Sequence, residues 1–120
     1  MRWLFLSLAP VLLGVAAPAA SAHAMLDHAV PAVGATLSAA PQRLQLFFTE
    51  PLEPAFSGVT LTSESGQAVA TGKASVSPQN PAEMVLTVPV LAPGKYKVNW
   101  HAISTDTHRT EGSFTFEIQH

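Results

Sequence analysis

Residues 91–100 read Leu-Ala-Pro-Gly-Lys-Tyr-Lys-Val-Asn-Trp, LAPGKYKVNW. Pro93-Gly94 is a turn signal, and after it Tyr96, Val98 and Trp100 alternate with Lys95, Lys97 and Asn99. That period of two places one set of side chains on each face of a strand, with the apolar set toward a core. A tyrosine set just after a turn at the start of a strand matches the tyrosine corner of immunoglobulin-like sandwiches, in which the hydroxyl bonds back to the chain a few residues upstream. The plainer alternative is a tyrosine packed at a strand edge.

Working outward, the same alternation recurs in RLQLFFTE (43–50), where Leu44, Leu46 and Phe48 face away from Arg43, Gln45 and Phe47, and in GVTLTS (58–63). The Glu64–Gln67 turn leads into AVATGKASVS (68–77), and the proline-rich SPQNPAE separates that run from MVLTVPV (84–90). LAPGKYKVNWHAIS (91–104) and GSFTFEIQ (112–119) complete the strand-like runs. Strand-like runs bounded by Gly, Pro, Ser and Asn, with no useful helical period, predict an all-β sandwich of about seven strands. Residues 24–42 read as an extended leading segment broken by turns at Pro31–Gly34 and Pro41. No internal repeat or second domain is evident.

The chain has 120 residues, is 48% hydrophobic and 12% charged, and carries a formal net charge of −2, a composition suited to one small packed domain. No basic patch argues for nucleic acid. Part of the hydrophobicity belongs to the first 22 residues: Arg2 is a short positive region, WLFLSLAPVLLGVAA an apolar stretch, and Ala20-Ser21-Ala22 a small-residue cleavage signal. An uncleaved membrane anchor is the competing reading, but Pro10 and Pro18 interrupt the apolar run. Residues 1–22 are therefore expected to be a signal peptide and 23–120 the exported domain. With no cysteine in the chain, that domain must hold its fold by packing, and any metal site must use nitrogen, carboxylate or thioether donors.

Cleavage after Ala22 makes His23 the first residue. Its new amine and its imidazole Nδ1 then close one chelate ring on a metal ion. Copper(II) favours such nitrogen donors in a tetragonal arrangement and heads the divalent affinity order. In Ser104-Thr105-Asp106-Thr107-His108, an aspartate and a histidine two apart project to the same side if the chain is extended, which would complete an N₃O set. Alone this pair is a weak signal, and Asp106 could equally cap its own turn.

HAMLDHAVPAVGA (23–35), LQLFFTEPLEPAFSGVTL (44–61) and LAPGKYKVNWHAISTDTHRTEGSFTFEI (91–118) together resemble the periplasmic copper-resistance protein CopC family. Its members begin H-x-x-L-x-x-x-x-P-A-x-G and carry S-x-D-x-H before a final G-x-x-x-F. The resemblance spans essentially all of 23–120 and implies an immunoglobulin-like Greek-key β-sandwich that binds copper(II), one ion per chain, in the periplasm. It implies that His23, Asp106 and His108 are the metal ligands, with Glu50 of FFTEPL near the site. It also implies an inner-membrane copper transporter of the CopD type as a partner; a monomer is expected.

Some family members hold copper(I) on methionines between the second and third strands, since thioethers select that ion. The matching residues 58–77 contain neither Met nor His, so one copper(II) site and no copper(I) site is expected. Met84 is assigned to the core and Met25 to packing against the sandwich. His28 reads as a solvated loop residue beside Asp27, His101 as facing away from Trp100, and His120 as a frayed end. The leading function is a non-enzymatic copper carrier or buffer in copper homeostasis. The alternatives are a copper oxidative enzyme of the N-terminal-histidine type and a structural β-sandwich with incidental histidines.

Overall fold

The computed structural model describes residues 23–120. The proposed signal peptide, 1–22, lies outside the described residues. Among the described residues eight strands form: β1 (Leu26–Val30), β2 (Thr36–Leu37), β3 (Arg43–Phe48), β4 (Gly58–Ser63), β5 (Ser75–Ser77), β6 (Asn80–Thr87), β7 (Gly94–Ile103) and β8 (Arg109–Ile118). They make two four-stranded sheets, ordered β1-β3-β6-β5 and β2-β8-β7-β4. The chain changes sheet between β1 and β2, β2 and β3, β3 and β4, β4 and β5, and β6 and β7, the repeated crossing of a Greek-key sandwich.

The alternation legible in the sequence is the one that packs. Leu44, Leu46 and Phe48 of β3 and Tyr96, Val98, Trp100 and Ala102 of β7 are buried, as are Phe114, Phe116 and Ile118 of β8. The inner faces meet in one core, where Phe48 and Trp100 contact edge to face with ring centroids 5.2 Å apart. Each of the buried Leu, Val, Ile and Phe side chains contributes about 1.5–3 kcal/mol of burial. Gly112 pairs with Trp100 across β7 and β8, and a Cβ there would come within 2.6 Å of the indole ring. Only glycine admits the ring at that spot. Tyr96 is a tyrosine corner: its hydroxyl donates to the Ala92 carbonyl at 2.6 Å.

The leading segment is more ordered than expected. Residues 26–30 pair with β3 as a full edge strand, and Thr36–Leu37 add a short parallel strand to β8. The reverse holds for 68–77, where only Ser75–Ser77 forms a strand and Ala68 makes a single bridge to Thr62. The small and glycine-containing ATGKA stretch offers too little side chain to secure a ladder position.

Candidate metal centre

The candidate residues gather at the end of the sandwich opposite the tyrosine corner. The β7–β8 hairpin closes there through Ser104–His108. The Ser104 N–H donates to the His108 carbonyl at 3.1 Å and the Thr107 N–H to the Ser104 carbonyl at 2.8 Å. Thr107 takes φ +75°, a left-handed conformation rare for a β-branched residue. Below the turn, the Thr105 N–H donates to the Pro51 carbonyl at 3.2 Å and Leu52 bridges to Ser104.

Asp106 and His108 do meet, though not by the extended-chain route: they sit in a turn, not a strand. Asp106 Oδ2 lies 3.3 Å from His108 Nδ1. Its Oδ1 accepts from the Ser104 hydroxyl and, at 3.5 Å, from the His108 N–H. The Ser104 hydroxyl chiefly, helped by the His108 N–H and imidazole, holds the Asp106 carboxyl below the ordinary carboxylate range, against an opposing effect of burial. Asp106 is thus both the cap of its own turn and the partner of His108.

His23 reaches the same place from the other side. Its ring contacts that of His108 edge-on, with centroids 4.6 Å apart. Two threonine hydroxyls secure the segment that carries it. Thr110 donates to the Ala24 carbonyl at 2.6 Å. Thr49 accepts from the Met25 N–H at 3.0 Å and donates to the His23 carbonyl at 3.5 Å. In the full-length chain the main-chain nitrogen of His23 is a peptide nitrogen.

Glu50 is half-buried, between Thr49, which bonds the His23 segment, and Pro51, which bonds the turn. Its backbone therefore runs beside both halves of the site. Among the described residues no three His, Asp or Glu side chains already converge as a metal-holding group. Two imidazoles are together, and the carboxylate is turned back on its own loop.

Three other expectations need correction or placement. Met25 is half exposed rather than packed, because Ala24 takes the inward position beside it. His28 belongs to β1 instead of a loop; its ring stacks on Phe47 at 4.3 Å and bonds Asp27 at 2.7 Å. His101 does face away from Trp100 and lines a groove of about 670 Å³ along β4, with Gly58, Thr60 and Ala70 among the other lining residues. That groove is separate from the His23–His108 contact. Met84, 1% exposed, is core as expected. Thr49, Thr110 and the hydroxyl of Ser104 were not anticipated in any site role; only Ser104 left a trace, as the first letter of S-x-D-x-H.

Residues 26–119 match the CopC domain. The chain belongs to the CopC family. Its relatives include Protein YobA of Escherichia coli K12, 35% identical over 98% of this chain and 96% of that one. Copper resistance protein C of Pseudomonas syringae pv. tomato is 40% identical over 83% of each. Among solved structures, CopC from Methylosinus trichosporium OB3b superposes with a TM-score of 0.76 at 32% identity, covering 81% of this chain and 94% of its own. The CopC match begins three residues after His23, so the placement of that histidine rests on the geometry above.

Proposed function

We propose that this CopC-family protein is a periplasmic copper(II) carrier or buffer, exported by residues 1–22 and completed by cleavage before His23. The observation that carries the reading is the contact of the His23 and His108 rings at 4.6 Å, with Asp106 3.3 Å from the latter, in a chain whose relatives include copper resistance protein C. His23 supplies its freed amine and its imidazole. His108 supplies the second imidazole. Asp106 supplies the carboxylate by turning from Ser104 toward the ion. Glu50 stands beside them as a neighbouring charge.

Nitrogen-rich donors of this kind suit copper(II), and one such set per chain accounts for one ion. The role is binding without turnover. The protein is expected to act as a monomer and to release its ion to an acceptor at the inner membrane, in keeping with the family resemblance.

The test is intact mass and copper(II) EPR on protein exported and processed by a Gram-negative host, with His23→Ala and His108→Ala alongside. A mass beginning at His23 and one tetragonal, nitrogen-rich signal altered in both variants is expected. A different first residue, or copper bound equally well by the variants, overturns the reading.

A further inference from the structure

We infer that Thr110 and Thr49 are positioning residues: their hydroxyls hold the first residues of the processed chain over His108, although neither is a ligand. The inference rests on the copper reading above and goes beyond it by naming what aims the N-terminal donor.

The first residues of a domain are ordinarily frayed unless something ties them down. Residues 23–25 precede β1 and have no strand of their own. Ala24 is fully buried, which sets the depth of the segment, but a methyl group does not set its direction. Direction comes from hydrogen bonds. The Ala24 carbonyl, next to His23, accepts from Thr110, which lies two residues beyond His108 on β8. One bond of 2.6 Å therefore ties the neighbour of one imidazole to the neighbour of the other.

Thr49 works at the flank. Its hydroxyl spans the His23 carbonyl and the Met25 N–H, while its own N–H donates to the Met25 carbonyl at 2.9 Å. Between them the two threonines bond to His23, Ala24 and Met25 in succession. This fixes the register of the segment: the residue before Ala24, and no other, lies against His108. A chain cut one residue early or late has its amine at a different point in space, so the pair reads where processing ended.

The test uses exported, processed protein with Thr110→Val, Thr110→Ser and Thr49→Val. The readouts are copper(II) affinity against a chromophoric chelator, the EPR hyperfine splitting, and, in metal-free protein, the nuclear Overhauser effect between the His23 and His108 rings. Thr110→Val is expected to weaken copper(II) binding roughly three- to tenfold, the ratio carried by one hydrogen bond of ordinary net strength. It should also shift the hyperfine splitting and diminish the ring-to-ring effect. Thr110→Ser, which keeps the hydroxyl, should restore all three, and Thr49→Val should move them in the same direction by less.

Parental values in Thr110→Val, or equal losses in the Val and Ser variants, overturn the inference. If Thr110→Val does not fold, Thr49→Val decides it by the same readouts. If the parent itself binds no copper(II), the copper reading fails, while the ring-to-ring effect in metal-free protein still decides whether the hydroxyls position His23.

Discussion

The two ends of the β7–β8 hairpin are built in opposite ways. At the Gly94 end, Tyr96 is buried, its hydroxyl bonds the Ala92 carbonyl at 2.6 Å, and its ring stacks with that of Phe116 at 5.6 Å. Polar and apolar groups there are consumed within the fold. At the other end, Asp106 and His108 are exposed, Thr107 holds a left-handed backbone, and two imidazoles from distant segments touch. A cysteine-free domain needs the first kind of end to fold, and that frees the second to carry groups chosen for binding.

Substitutions at the two ends should therefore have opposite consequences. Phe116, 1% exposed, is expected to cost about 3–5 kcal/mol as Phe116→Ala, seen as a lower denaturation midpoint, with copper affinity of the folded fraction unchanged. His108→Ala should do the reverse. Stability should stay within about 0.5 kcal/mol of the parent, as for an exposed side chain. Copper(II) affinity should drop by about a hundredfold or more, beyond the range seen for losing an outer-shell partner. Calorimetry and chelator competition on the same samples check both, and comparable destabilisation by the two variants would erase the distinction between the ends.

Tyr96→Phe sharpens the contrast at smaller scale. It keeps the ring against Phe116 and removes only the hydroxyl that bonds Ala92. The expected loss is about 1 kcal/mol in denaturant unfolding, leaving the Ala92 carbonyl to find water. Copper(II) EPR should be unaltered; a changed spectrum would mean that the corner communicates with the turn.

Much of this was legible in the order of residues because sheet packing has a period of two that side chains must obey. Leu44, Leu46 and Phe48, and likewise Tyr96, Val98 and Trp100, announce their face without any tertiary information. β1 was not legible as a strand, since DHAV mixes charge with apolar residues and its order comes from pairing with β3. His23, Asp106 and His108 were nameable as donors from residue type and motif. Their assembly was not: Asp106 and His108 meet through a turn that needs Thr107 at φ +75°, and His23 is placed by hydroxyls of Thr49 and Thr110 far along the chain. Bonds between a side chain and a distant carbonyl have no periodicity and leave no pattern to read.

The smallest expected effect concerns Ser104, the buried residue beneath the open turn. Its hydroxyl is the main reason that the Asp106 carboxyl ionises below the ordinary range. A carboxyl depressed in the folded state favours folding at pH above the ordinary aspartate range, and that contribution disappears as the pH falls through the depressed value. Ser104→Ala should raise the Asp106 midpoint toward ordinary aspartate, so that this contribution to folding shrinks. Carbon-13 titration of the Asp106 carboxyl in metal-free protein reads this directly, and an unmoved midpoint would remove Ser104 as the cause.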